Sequence, residues 1–210
     1  MNCDRIARWY RWLEYAGFGG ELERRRFQFL GEVSDTHRVL AVGEGDGRFL
    51  EKFAQQNPEA AIDCVDLSGG MVALARRRVG SAHVSFRQAD VRSVALPRSE
   101  YDLIVTHFLL DCFEEADVRV VVARIAESAQ PGARWVISEF RQPASGWRSM
   151  WARLWLDLLY WFFRVTTGLT TRRLVDYHPI LKSCGFRLKH QRISRFGLLT
   201  SELWQRSAMV

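Results

Sequence analysis

Short apolar runs and helix-like runs alternate from about residue 38 to residue 140. "HRVLAVG" is β-rich and reads as a buried strand, and "GRFLEKFAQQ" after it reads as a helix. "AIDCVDLS" is a second strand, followed by the helix-like "GGMVALARRRV", which starts near Ser68 or Gly69. "VSFRQADV" and "YDLIVTHFLL" are a third and a fourth strand. "EEADVRVVVARIAESA" is a helix stopped by "QPG", and "RWVISEF" is a fifth strand. Strands separated by helices return to the sheet by crossovers, so they pair in parallel, and the helices cover both faces.

The flanks read differently. Residues 4–32 are helical in pattern, with Ile6, Trp9, Tyr10 and Leu13 at helical spacing and a break at "GFGG". Residues 144–171 are rich in Trp, Leu and Phe and read as helices broken near Gly168. "DYHPILKSCGF" is a short helix stopped by Gly185. "RLKHQRISRF" and "LLTSELWQRS" are strands joined at Gly197, an antiparallel pair closing the sheet edge. The chain therefore reads as a single α/β domain in four stretches: a helical lid over 1–36, a core over 37–142, an aromatic helical insertion over 143–175, and a helix with a β-hairpin over 176–210.

Composition sets bounds on partners and compartment. Cys3, Cys64, Cys112 and Cys184 are far apart with no CxxC pair, which argues against a metal cluster and for reduced, cytosolic thiols. The first residues lack the unbroken apolar core of a secretory leader, and "LWLDLLYWFF" is too short for a membrane span and carries Asp157, so a cytoplasmic location is expected. The net charge of +6 raises the odds of an anionic partner, but the densest basic runs, 24–26 and 76–78, sit in helix-like stretches and read as solvated faces.

Chemistry concentrates at "LAVGEGDGRFL", where Gly43, Gly45 and Gly47 follow the first strand and open a helix. Ligands of open α/β sheets sit at such strand ends. The pattern is neither G-x-G-x-x-G nor a phosphate loop ending in G-K-[ST], and Glu44 and Asp46 would repel a pyrophosphate unless they point away. The ligand group here is expected to be something other than phosphate, and a cation suits the charge. Asp66 closes the second strand roughly 20 residues past the loop, where an acid can take both ribose hydroxyls; the alternative is a helix-capping or solvated Asp. Asp90 ends the third strand, where it can accept from an exocyclic amine or remain an ordinary loop acid.

"VLAVGEGDGRFL", "IDCVDLSGGMVALARRR", "VSFRQADV" and "YDLIVTHFLLDCF", in this order and spacing, resemble the class I S-adenosylmethionine (SAM) methyltransferases over about residues 38–140. The resemblance implies a Rossmann-like methyltransferase fold, a mostly parallel seven-stranded sheet with an antiparallel edge strand and helices on both faces. It implies SAM as cofactor. Gly43, Gly45 and Gly47 would pass its methionine part and Asp66 would bind the ribose. Leu67 and Met71 would pack near ribose and adenine, Asp90 and the Val91 amide would face the adenine, and His107 would close the pocket. "IARWYRWLEYAGFGGELERRR" is similar to the opening of the ubiquinone/menaquinone-biosynthesis methyltransferases, which implies Tyr10 as a cofactor lid. Two departures stand out: Arg11 replaces an acid usual in that group, and Ala41 stands where many members carry the acid that meets the cofactor's amino group. Glu44 would compensate unless the turn aims it elsewhere.

Methyl transfer from a sulfonium is an in-line displacement that needs no metal. His107 and Asp111, just past the fourth strand, are the candidate bases; packing and helix capping are their respective alternatives. His178 is a third candidate. The expected acceptor is small and lipophilic: quinone-like, phenolic, thiol or lipid amine. The aromatics Trp147, Trp151, Trp155, Tyr160, Trp161 and Phe162, flanked by arginines, form either core or a roof that also allows peripheral membrane contact through 147–173. A nucleic-acid methyltransferase is the weaker reading, since "THFLL" lacks the proline motif of base-amino methylation. A non-catalytic SAM-binding partner subunit is the other alternative. Oligomeric state is not legible.

Overall fold

The structure, a computed structural model, describes Tyr15 and residues 19–80, 83–141, 174–194 and 197–208. Tyr10, with residues 1–14 and 16–18 of the N-terminal stretch, and the whole aromatic stretch 147–173 lie outside the described residues. Among the described residues the helices are α1 (Glu21–Arg26), α2 (Arg48–Gln56), α3 (Gly69–Val79), α4 (Glu115–Ser128) and α5 (His178–Ser183). The strands are β1 (Arg38–Val42), β2 (Ala61–Asp66), β3 (Val84–Gln88), β4 (Tyr101–His107), β5 (Ala129–Phe140), β6 (Phe186–Ile193) and β7 (Leu199–Arg206).

The seven strands form one sheet in the order β3-β2-β1-β4-β5-β7-β6. The first five pair in parallel, and β7 runs antiparallel to both β5 and β6. The expected antiparallel pair is therefore present, with its reversed strand slotted inside and β6 at the rim. The order reverses between β1 and β4, and the loops after these strands meet at that switch point.

Side-chain alternation assigns the two faces. Leu40, Ile104, Trp135, Ile137 and Trp204 face α4 and α5, against Val118, Val121, Ile125 and Leu181. Val39, Ala41, Leu103, Val105, Val136 and Leu203 face the other way, onto Phe49, Phe53 and the 29–33 segment. A one-residue register slip would exchange these sets, which fixes the pairing. Trp135 is fully buried, donates its indole N–H to Thr106 Oγ1 at 3.0 Å and meets Phe186 edge-on.

Three local expectations are corrected. The helix of "ELERRRFQFL" ends at Arg26 and gives way to a 3-10 turn at Leu30–Glu32. β5 begins at Ala129, before Pro131-Gly132, because Gly132 at φ +80° forms a register shift that lets the strand absorb the Pro-Gly pair. The arginines of 24–26 are not a solvated face: Arg25 and Arg26 are buried, because α1 docks on the sheet and the Arg25 carbonyl accepts from Ser138 Oγ and Ser201 Oγ.

Candidate active site

The glycine loop is shaped by close approach. Gly43 has φ +66°, and a Cβ there would lie 2.5 Å from Leu109 Cδ1 of the loop after β4. Gly47, at φ +79°, caps α2, and a Cβ there would lie 2.8 Å from the Cα and Cβ of Ala75 in α3. Only glycine meets both demands. A cavity opens where β1, β2, β3 and β4 end; Gly47 seats α2 on α3 and is absent from its lining, whereas Gly43 and Gly45 line it.

Asp66, at the end of β2, ties the loop to the next helix. Its Oδ2 accepts from the Gly45 N–H at 3.2 Å and its Oδ1 from the Ser68 N–H at 2.8 Å. Ser68 in turn caps α3, its Oγ accepting from the Met71 N–H. Asp66 therefore holds the strand-end geometry while its carboxylate lines the cavity.

The two loop acids have opposite fates. Asp46 turns away from the ligand side: Arg48 Nε donates to its Oδ1 at 2.9 Å and Arg78 Nη2 to its Oδ2 at 3.2 Å. Glu44 is buried, lines the cavity, and neither carboxylate oxygen has a hydrogen-bond partner. Burial pushes its carboxyl up to about 8, with the Arg26 guanidinium opposing. Arg26 also lines the cavity, its guanidinium 5.2 Å from the centre of the Phe108 ring. Ala41, where an acid was noted as missing, is packed among Phe49, Leu103 and Val105 and could not reach solvent.

Leu67, Met71, Asp90, Val91 and His107 also line this cavity. Asp90 is held by Arg92, whose Nε lies 3.1 Å from both carboxylate oxygens and whose Nη2 lies 2.7 Å from Oδ2. Those hydrogen bonds keep the Asp90 carboxyl below its usual range. His107 is buried edge-on against Phe49, with neither ring nitrogen hydrogen-bonded. Burial, with Arg26 nearby, drives its imidazole well below the usual value and keeps it neutral. Asp111 lies outside the lining. It neighbours Glu139, a buried β5 carboxylate whose Oε1 accepts the Leu109 and Leu110 N–H groups at 3.0 and 2.7 Å. Burial and then Asp111 push Glu139 far above the carboxylate range.

Arg26, Phe108, Arg92 and Glu139 were not singled out from sequence. Arg26 was hidden in a basic run, and Glu139 is a lone acid at a strand end; a charged residue in the otherwise apolar "WVISEF" was the available signal.

Residues 39–132 match the family described as a methyltransferase domain. Demethylmenaquinone methyltransferase of Deinococcus radiodurans is 32% identical over 111 residues, covering 52% of this chain and 45% of that protein. A ubiquinone/menaquinone biosynthesis C-methyltransferase of Geobacter sulfurreducens is 26% identical over 187 residues, covering 80% of this chain and 71% of that one. The match spans about half the length, or less, of several curated relatives. The N-methyltransferase NodS of Bradyrhizobium japonicum, solved with S-adenosyl-L-homocysteine, superposes with a TM-score of 0.66 at 18% identity, covering 88% of this chain and 87% of that one. The sheet is the Rossmann-like methyltransferase fold, and the cavity described above lies at the strand ends of the region that matches the methyltransferase family.

Proposed function

We propose that the chain is a SAM-dependent methyltransferase acting on a small lipophilic acceptor. The carrying observation is Glu44: a buried, unpartnered carboxylate lining a cavity that Arg26 also lines and Asp66 borders. A buried acid with no donor is costly unless something supplies one. The amino-acid tail of SAM supplies an ammonium for Glu44 and places a carboxylate in the same cavity that Arg26 lines. Asp66 keeps acceptor capacity for ribose hydroxyls beyond the two amides it already binds. Asp90 and the Val91 backbone take the adenine side, with Leu67 and Met71 packing against the nucleoside, and Gly43 and Gly45 permit close backbone approach.

When bound, SAM supplies an electrophilic methyl on a sulfonium. The chain's part is to position it and exclude water. In this reading His107 belongs to the cofactor shell, because its burial opposes proton uptake. Asp111, outside the lining, is the weaker candidate base. The curated relatives named above, two quinone-pathway enzymes, favour a ring-bearing lipophilic acceptor over a nucleic acid. Among the described residues no helix is long and apolar enough to cross a membrane. Isothermal titration calorimetry with SAM and S-adenosylhomocysteine tests the proposal. Saturable binding is expected; a folded chain that binds neither at high micromolar concentration refutes it.

A further inference from the structure

A second cavity, about 400 Å³ in volume, lies where β5, the approach to α5, β6 and β7 meet, and its lining includes Phe140, Tyr177, His178, Gln191, Thr200 and Glu202. That is the size of a small-molecule pocket. It adjoins the first cavity: Phe108 of one and Phe140 of the other tilt together with ring centroids 5.3 Å apart.

At its floor Glu202 is fully buried and receives five side chains. His178 Nε2, Gln191 Nε2 and Thr200 Oγ1 reach its Oε1 at 3.0, 2.7 and 3.3 Å; Tyr177 Oη and Trp204 Nε1 reach its Oε2 at 3.2 and 2.8 Å. Burial alone would raise this carboxyl, but the hydrogen bonds from His178, Gln191 and Trp204 carry it below its usual value, so it stays an anion. An anion facing Nε2 fixes the Nε2–H tautomer and leaves Nδ1 as the lone-pair nitrogen. Tyr177 and Trp204 hold the ring edge-on, each with centroids 5.1 Å away. The His178 side chain keeps 33% of its surface exposed, a route for a proton to water. The hydrogen bond to Glu202 raises its basicity against partial burial; Asp176 adds to this and Lys182 opposes it. Glu139 of β5 faces Tyr177 beside the dyad, and Arg141 borders the cavity.

We propose that the second cavity holds the methyl acceptor and that His178, oriented by Glu202, takes the proton this acceptor loses. The assignment rests on the methyltransferase reading above and adds the acceptor class: a phenol-type hydroxyl on an apolar ring, with Phe140 and Val175 along the ring and His178 at the oxygen. The acceptor oxygen forms a bond to the methyl carbon as the carbon–sulfur bond breaks, its electron pair staying on sulfur. The hydroxyl proton passes to His178 Nδ1 and then to solvent. An acceptor with no proton to lose, such as a tertiary amine or an ionised carboxylate, would leave this dyad without a task.

The probe is 4-nitrophenol, whose phenolate is visible by absorbance, titrated into the full chain saturated with S-adenosylhomocysteine at a pH where the free phenol is mostly un-ionised. Wild type is expected to bind it and show the phenolate band; His178→Gln is expected to bind S-adenosylhomocysteine as wild type does and to lose the band. An equal band in the folded variant, or no saturable 4-nitrophenol binding by wild type whose S-adenosylhomocysteine affinity is intact, overturns the proposal. Failure to bind S-adenosylhomocysteine refutes the methyltransferase reading itself, so the two failures are distinct. Histidine ¹⁵N NMR of the wild-type chain is independent of any variant: the Nε2–H tautomer of His178 is expected, and the Nδ1–H tautomer overturns the assignment.

Discussion

SAM affinity is expected to depend on pH through Glu44. The free carboxyl titrates near 8 because burial disfavours its anion. An ammonium beside it requires that anion, so binding below pH 8 expels a proton. With the bound carboxyl ionised throughout the range, apparent affinity weakens as 1 + 10^(8 − pH), about 50-fold between pH 8 and pH 6 and about fivefold between pH 8 and pH 7. At pH 7 roughly 0.9 proton should leave per SAM bound, readable by calorimetry in buffers of different ionisation enthalpy. Methylthioadenosine carries the same nucleoside without the amino-acid tail and serves as control; its affinity should be flat across this range. Glu44→Gln should weaken SAM and abolish the slope. The same shift has a stability consequence of fixed sign. The folded carboxyl titrates above its unfolded value of 4.5, so its contribution is full below that pH and is lost as pH rises through about 8. Between pH 6 and pH 9 the ligand-free wild type should lose roughly 2–3 kcal/mol relative to Glu44→Gln in urea denaturation. A SAM affinity that is flat with pH, or an equal slope for methylthioadenosine, refutes the assignment of Glu44 to the ammonium.

Three further outcomes follow from the same geometry. Asp66→Ala should weaken S-adenosylhomocysteine by about 1.5–3 kcal/mol, roughly 10- to 150-fold in calorimetric Kd, as a charged acceptor is lost; an unchanged Kd removes Asp66 from the site. Gly47→Ala should cost more stability in chemical denaturation than Gly45→Ala, because both have positive φ but only Gly47 puts a Cβ 2.8 Å from α3 backbone while Gly45 faces open space; the excess is expected at about 1–3 kcal/mol. Trp135→Ala should cost about 3–5 kcal/mol in the same assay, since it opens a cavity between the sheet and its α4–α5 cover and strips Thr106 of its donor.

The parallel core was legible because each strand and helix carries its own period, and "VGEGDG" sits where strand gives way to helix. Asp66 was legible for the same reason, as the acid ending the second strand. What sequence could not supply is how neighbours neutralise charge. Glu44 and Asp46 are equivalent in the string. Only the placement of Arg48 and Arg78 around Asp46 makes one a structural tie and leaves the other bare. Arg26 read as solvated because helical spacing says nothing of which segment docks, and its burial follows from α1 lying over β5 and β7. His107 read as a candidate base or a packing residue, and the string does not show the burial that lowers its imidazole pKa. The second cavity was illegible for a plainer reason: Tyr177, Gln191 and Glu202 come together only through the antiparallel insertion of β7 between β5 and β6.

Among the described residues three buried glutamates sit at the working end of this sheet, and the number of donors each receives ranks what it can do. Glu202 receives five side-chain donors and stays an anion, so it can orient a histidine but has little capacity left for a ligand. Glu139 spends one oxygen on two backbone amides and keeps the turn after β4 in place, while its other oxygen stays bare and its carboxyl is raised. Glu44 receives none and stays protonated to about pH 8. An unsatisfied buried acid at the mouth of a glycine loop is a cost to the free protein that packing alone does not relieve. A ligand that brings its own cation relieves it, and the binding energy then carries the signature of a proton leaving. Stability is surrendered at the residue where ligand charge is read, and secured at the two carboxylates whose donors the fold itself provides.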